Sequence, residues 1–383
     1  MLAKAWDVMT SMVTALVLLA LLMVLVLLCT FAQRTMGTLE AVGLFMRSWV
    51  VLWTPPGVAA ALPVFPGGAL VGLLLGTNVL AATARRLDFS KRLAALWVVH
   101  AGLILLFAGE FLTGAFQRDC RMAIDEGGAT NFVESSNAYE LAVVDVTDSD
   151  RDDHHTVPAS ILREGPFVDL GGTPLTIKVH DYLPTAEFSR RQPGDPPPRA
   201  TAGIGPMVSV RPGVASADVT KDTPAVLVEP LAGARSFGVW LLSPALGAPQ
   251  EFVHEGRTYA MSLRAEREYL PYTLGLKKFR HDRYAGTDIP LNFSSLVHVS
   301  NAETHEERDV LISMNQPLRY EGRAFYQASF GKGEKLTILQ VVQNPGWLIP
   351  YVSCALVSLG LLLQFAPRLF KSRRPAKSKE VAA

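Results

Sequence analysis

The chain has 383 residues, of which 49% are hydrophobic and only 19% charged. A soluble globular chain carries closer to about a quarter charged residues, and here the deficit is gathered into a few stretches, so the sequence reads as a membrane protein with a soluble part. A net charge of +1 gives no basic surface for nucleic acid, and ordinary Gly and Pro with three Cys exclude collagen-like, coiled-coil and disulfide-scaffold classes.

The first uncharged run extends from Val8 to Gln33, and its core over residues 9–31 is almost wholly Leu, Val, Met and Ala. About 20 residues rising 1.5 Å each cross a hydrocarbon layer of roughly 30 Å, so this core reads as a first transmembrane helix. A signal peptide would have an apolar region of about 7–15 residues and a small-residue cleavage site. This run is longer, and Cys29-Thr30-Phe31-Ala32-Gln33 offers no such site. The next uncharged run, Ser48 to Ala84, is too long for one helix. Pro55, Pro56, Pro63 and Pro66 punctuate its first half, which reads as loop or interfacial segment. The second span is expected over residues 66–82. Within it Gly72 and Gly76 form a G-x-x-x-G, a pattern that lets another helix approach closely, and Asn78 is expected to bond a neighbouring helix. A third span is expected over residues 93–112, with His100 inside it and Glu110, a snorkelling or capping carboxylate, near its far end. A fourth, over residues 346–365, follows the breaker Asn344-Pro345.

Arg85, Arg86, Lys91 and Arg92 lie between spans two and three, and Arg368, Lys371, Arg373, Arg374, Lys377 and Lys379 follow span four. Lys and Arg favour the cytoplasmic side, so both termini are expected inside. The expected architecture is an integral membrane protein with four transmembrane α-helices and a large extracytoplasmic, mainly-β domain inserted between helices three and four. Its parts are a membrane domain over residues 1–112, the outer domain over 113–343, and the last helix with a basic tail over 344–383.

In the outer segment, Leu175, Ile177 and Val179 alternate with Thr176, Lys178 and His180, and Ala138 to Val146 and Leu336 to Val342 also read as strands. Arg319 to Phe330 reads as a hairpin turning at Glu321-Gly322. Arg190 to Gly213, with Pro196-Pro197-Pro198, is expected to be an extended, mobile loop, and Asp148 to His155 a polar one. A β-sandwich or irregular β-domain is expected. Cys120 stands alone outside the spans; there is no C-x-x-C, no C-x-x-C-H and no G-x-S-x-G, so thiol–disulfide exchange, a c-type cytochrome and a serine hydrolase find no support.

The stretch from Asn315 to Phe330, reading NQPLRYEGRAFYQASF, resembles the N-x-P-L-x-Y-x-G-x-x-F-Y-Q-x-S signature of the ResB family of System II cytochrome c biogenesis. Gly127 to Glu134, Leu270-Pro271-Tyr272-Thr273 and Tyr284-Ala285-Gly286-Thr287-Asp288 are similar to further family segments, and three spans, an outer β-domain and a last span match its layout. The resemblance implies a subunit that helps move or receive haem b and presents apocytochrome c for thioether attachment. It also implies a separate haem-handling membrane partner with a tryptophan-rich WWD motif, because the six tryptophans here form no W-G-x-x-W cluster. It implies the bacterial inner membrane as location and a non-catalytic or jointly catalytic subunit of a cytochrome c haem lyase complex; no acid–base pair for the reaction is evident. An alternative from the residues alone is a haem-free anchored scaffold whose β-domain binds a respiratory or envelope partner.

His100 is the one histidine in any expected span. Ionisable groups within a bilayer are costly and tend to be functional. A neutral imidazole keeps a lone pair suited to haem iron, and Trp97, Ile104 and Phe107 share its face at helical spacing. The other reading is a histidine bonded to a neighbouring helix with Trp97 as interfacial anchor. The resemblance implies the first: His100 as axial ligand, with Trp97 and Phe107 against the porphyrin. Asn315, Pro317, Tyr320, Gly322, Phe325, Tyr326 and Gln327 carry the signature, as structural or partner-binding residues. The outer histidines, including Asp152-Asp153-His154-His155, read as solvated or structural.

Overall fold

The computed structural model describes residues 2–54, 61–85, 93–192, 194–214, 222–284, 286, 290–331 and 333–372. Pro55, Pro56, Arg86, Lys91, Arg92, most of Tyr284 to Asp288 beyond its first residue, and the tail from Arg373 lie outside the described residues. The chain divides into two compact units. Met1–Gln33, Leu39–Gln117 and Asn344–Ala383 make the first; Arg34–Thr38 and Arg118–Gln343 make the second.

The helices are α1 (Leu2–Met9), α2 (Met12–Met36), α3 (Thr38–Val42), α4 (Gly68–Arg85), α5 (Ala94–Phe116), α6 (Ala159–Glu164) and α7 (Ile349–Ser372). Among the described residues, α2, α4, α5 and the Ile349–Ala366 part of α7 are four helices long and apolar enough to cross a membrane. The first is not continuous from Met9. The chain breaks at Thr10-Ser11, where the Thr10 hydroxyl donates to the Trp6 carbonyl at 2.9 Å. Asn78, buried on α4, donates to the carbonyls of Met9 at 2.5 Å and Ser11 at 3.2 Å. Arg85 bonds the Thr10 hydroxyl and the Asp7 carboxylate, each at 2.6 Å. Carbonyls freed by a helix break need donors in a place without water, and α4 supplies them. The same contacts set the start of α2 beside the end of α4.

The proline-punctuated half of the second apolar run, expected as loop or interfacial segment, contains two strands among its described residues. Strands β1 (Val50–Trp53) and β2 (Leu62–Pro66) pair antiparallel, with Val51 opposite Phe65 and Trp53 opposite Leu62. Pro63 and Pro66 are tolerated because each lies on a two-stranded sheet with free edges.

The close helix approach also falls elsewhere than expected. A Cβ on Gly72 or Gly76 would meet nothing within 4 Å among the described residues. The tight seam is between α5 and α7. A Cβ on Gly102 would lie 2.8 Å from Val357, one on Gly109 2.5 Å from Ile349, and one on Gly360 2.6 Å from Val99 and 2.9 Å from the Ala95 carbonyl. The order of these contacts along both chains makes the pair antiparallel. At the end where the chain leaves α5, the Asn344 amide donates to Thr113 Oγ1 and to Gln117 Oε1, both at 3.2 Å.

The second unit is mainly β. Its larger sheet runs in the order Glu306–Ser313, Pro290–Asn301, Arg257–Arg283, Ala129–Asp145, Arg118–Asp125, Leu336–Gln343, Arg323–Gly331, Leu318–Tyr320. The two ends of this path meet: Ser313 bridges Gln316, and the Tyr320 hydroxyl accepts from Asn301 at 3.0 Å and donates to Glu306 at 2.9 Å. The sheet therefore curls around one core, which contains Met122, Tyr272, Leu274, Val297, Phe325 and Leu339. A smaller sheet centred on Thr176–Leu183 and Ala225–Ala232 covers the other half of the long strands. There Leu175, Ile177, Val228 and Trp240 meet Leu141, Met261 and Leu263 in a sandwich core.

Both expected loops are present, at 148–152 and 191–207, but each is shorter than expected and bounded by paired strands. Asp153–Pro158 is a strand paired with Glu140–Asp145, so His154 and His155 lie on a sheet edge. The Pro-rich segment is docked. Ala186–Arg190 pairs with Val208–Pro212, Ala200 is buried, and Arg199 pairs with Asp181. The Ile204 N–H donates to Gln250 Oε1 at 2.9 Å. Gly203, with φ of +60°, sits so close under Trp240 and Gln250 that a Cβ would come within 2.7 Å and 2.0 Å of them. Composition could not reveal this, because the partners lie far away in sequence.

Two tests follow from this packing. Gly360→Leu should weaken the α5–α7 pair by roughly 1–3 kcal/mol, the scale of overpacking a tight contact, while Gly72→Ala should be neutral or slightly stabilising; thermal unfolding in detergent compares them. In the second unit, Gly203→Val should destabilise by a similar roughly 1–3 kcal/mol, and excising residues 196–206 should lower the yield of folded protein. An excised variant with wild-type melting would mean that the segment packs without consequence.

Candidate functional site

α5 presents two opposed faces. Ala95, Val99, Gly102 and Gly109 meet α7. His100 precedes Gly102 by two residues, which at about 100° per residue turns it to the far side of the helix. Trp97, Ile104 and Phe107 share that side by spacing, and Phe107 and Phe111 are exposed there at 43% and 75%. The His100 imidazole is itself bound. Its Nδ1 lies 2.8 Å from the Leu96 carbonyl. A carbonyl can only accept, so Nδ1 carries the proton and Nε2 keeps the lone pair. In the neutral ring that is the tautomer of a metal-ligating histidine, with one nitrogen fixed by a backbone acceptor. The helix turn thus satisfies one nitrogen without a partner from α7. The face is apolar and partly aromatic, with Trp97, His100 and Ile104 half-buried and Phe107 and Phe111 exposed; α4 also packs against α5. Glu110 is exposed on the same helix.

The signature residues lie in the second unit and are not brought together with His100. Leu318 pairs opposite Phe325 across a two-residue turn. That turn needs positive φ at both positions, and Glu321 and Gly322 have 46° and 73°. Phe325 is fully buried and stands edge-on to Tyr272, which in turn stands edge-on to Tyr320. Tyr320 ties the two ends of the curled sheet through Asn301 and Glu306. Gln327 is buried in a polar knot: Ser295 donates to its Oε1 at 2.6 Å, and its Nε2 donates to Thr337 at 3.0 Å. A buried amide with its partners in place is rigid, whereas one left unpaired is costly. Asn315 is exposed, and Pro317 and Tyr326 are half-buried. Sequence reading missed Ser295, Thr337, Asn301 and Glu306, the partners that give the signature its polar content; each is a common residue in a strand, and only the fold shows what it faces.

Three of the outer histidines are engaged with carboxylates at hydrogen-bond distance. His180 meets Glu229 at 2.7 Å, His298 meets Asp309 at 2.7 Å and His281 meets Glu334 at 2.8 Å. The hydroxyl of Ser236, then His180, holds the Glu229 carboxyl below its usual range. Hydrogen bonds from Lys277 and His298 do the same for Asp309. Burial, then the Glu268 charge, pushes the Cys120 thiol up, which leaves it a poor nucleophile. Among the described residues no group of three or more His, Cys, Asp or Glu side chains could hold a metal ion.

Residues 248–338 match the ResB-like family. A stretch of 93 residues is 39% identical to Protein NrfI of Wolinella succinogenes, covering 24% of this chain and 10% of that protein. The chain thus aligns with about a tenth of the length of that relative. The matched region takes in Leu270 to Thr273 and the whole Asn315 to Phe330 signature, so the resemblance to the ResB family holds through the strands that close the curled sheet.

Proposed function

We propose that this protein is a membrane subunit of System II cytochrome c biogenesis in the bacterial inner membrane. In this reading it helps move or receive haem and presents apocytochrome c for covalent attachment. The observation that carries the proposal is the ResB-like match over residues 248–338. The four apolar helices support membrane insertion. Antiparallel packing of α5 on α7, and of the start of α2 beside the end of α4, supports an even crossing pattern with both chain ends and the 86–92 loop on one side. The basic residues of that loop and of the tail make that side cytoplasmic.

Haem is substrate here. The His100 face fits it on chemical grounds: a free Nε2 lone pair, an imidazole fixed by the Leu96 carbonyl, and Trp97 and Phe107 beside it. The face supplies one wall only, which favours a second wall from a haem-handling membrane partner with a WWD motif. His100 lies about six residues into α5, roughly 10 Å along the helix from its cytoplasmic end. This chain's own task is then to hold and orient; thioether formation also requires reduced iron and thiols, and this chain contributes no acid–base pair to it.

His100→Ala should insert normally but carry about tenfold less haem or lower still, the scale of losing a group that fixes a metal ligand set, and His100→Gly with added imidazole should regain part of it. The measurement is the Soret absorbance of the protein purified with its membrane partner. Wild-type haem content in His100→Ala would sink the ligand role, and no Soret band in either protein would favour a haem-free scaffold.

Orientation is open to a separate check. Reporter fusions after Arg92 and Arg374 should read cytoplasmic and one at Asp195 external. A cytoplasmic signal at Asp195 overturns the crossing pattern.

A further inference from the structure

The β1–β2 hairpin has no role in the reading above, yet its construction restricts where it can reside. Val51, 5% exposed, and Phe65 pack inward on a cluster containing Leu18 and Leu25 of α2, Val71 and Leu75 of α4, and Leu44, Phe45 and Met46. This packing stabilises a two-stranded ribbon that alone would be marginal. The remaining large side chains turn outward. Trp49, Leu52, Trp53, Leu62 and Val64 are each between 48% and 59% exposed, and no charged residue occurs from Ser48 to Ala84.

Neither bulk water nor hydrocarbon suits such an element. Five neighbouring exposed apolar side chains without a charge make a patch that a water-facing surface does not keep free. Conversely, among the described residues no further strand pairs with either outer edge of the ribbon, and backbone N–H and C=O groups along such edges are not satisfied by hydrocarbon. The layer that meets both demands is the boundary between headgroups and acyl chains, wet enough for the backbone and apolar enough for the side chains. It is also where tryptophan concentrates.

The hairpin's attachment points to the same level. β2 ends at Pro66 and α4 begins at Gly68. The Gly67 N–H donates to the Trp49 carbonyl at 2.9 Å, and the Ala69 N–H to the Ser48 carbonyl at 3.2 Å. A Cβ on Gly67 would lie 2.1 Å from the Ser48 carbonyl oxygen, and one on Gly68 2.5 Å from that of Met46. Two glycines therefore clamp the hairpin onto the first turn of a membrane-length helix, where that helix meets the bilayer surface.

We propose that the β1–β2 hairpin is an interfacial anchor whose outer face, led by Trp49 and Trp53, is covered by the phospholipid headgroup and glycerol layer. The anchor fixes the depth of α4 and, through the shared apolar cluster, of α2. This inference rests on the membrane reading above.

The test is tryptophan emission from the full-length protein in nanodiscs made with lipid brominated either near the glycerol end of the chains or near their termini. Bromine quenches tryptophan at contact. The double variant Trp49→Phe, Trp53→Phe should lose part of the quenching by the shallow bromines and none of that by the deep ones. Trp97→Phe, which alters α5 instead, reports insertion separately. If Trp97→Phe reduces lipid quenching and the double variant does not, the hairpin faces water or protein and the proposal is overturned. Loss of deep quenching in the double variant overturns it as well, since the ribbon would then lie in hydrocarbon. If neither lipid quenches any tryptophan emission of the wild-type protein, the membrane reading falls and the anchor falls with it. Should the double variant not fold, the single substitutions Trp49→Phe and Trp53→Phe read the same difference.

Discussion

The first unit depends on how closely α5 and α7 approach. Without water between them, two apolar helices gain nothing from hydrophobic burial, so their association rests on packing and on a few hydrogen bonds. Gly102 and Gly109 on one helix and Gly360 on the other remove the side chains that would hold the backbones apart. Asn344 then ties the ends through Thr113 and Gln117. One consequence is geometric. With its small residues committed to α7, α5 must turn His100, Trp97, Ile104 and Phe107 outward. The side of the helix that bears His100 is the side turned away from α7.

The same division recurs in the second unit. The residues by which the family is recognised are mostly those that close a sheet: a turn at Glu321-Gly322, aromatic rings stacked edge to face from Tyr320 through Tyr272 to Phe325, and an amide knot at Gln327. A sheet that curls until its ends meet leaves no long edge for unwanted pairing, but its last strands must be locked, and Tyr320 does this by bonding residues at the opposite end of the strand order. Such residues are poor candidates for direct contact with a partner. Asn315, exposed at the start of the signature, and Tyr326, half-buried on its strand, are better placed for one.

What could be read from the sequence was what local physics determines. Four long apolar runs made four helices, alternation at 175–179 gave a strand core, and the Glu321-Gly322 turn was where its residue types place it. Asn78 met the carbonyls of another helix, as a lone amide in an apolar helix must. The errors share one cause. Pro and Gly were read as markers of looseness, yet Pro63 and Pro66 sit in a hairpin and Gly203 under Trp240 because distant partners fill the space around them. A glycine pair at G-x-x-x-G spacing was read as a seam, whereas the seam uses glycines seven residues apart on one helix and a single glycine on the other. Spacing shows which residues share a face; it does not show whether anything lies against that face.

That distinction bears on His100 itself. Its helical face was legible from the spacing of Trp97, Ile104 and Phe107, and so was its need for a hydrogen bond. The identity of the partner was not. A bond to another helix would have made His100 a packing residue with both nitrogens constrained by the fold. The bond to Leu96 belongs to its own helix turn, so it does not depend on a neighbouring helix. On the proposed function, this lets α5 keep its ligand oriented while the other wall of the haem site arrives with a separate protein, and it makes the free face a feature that α7 could not cover without loss of the role.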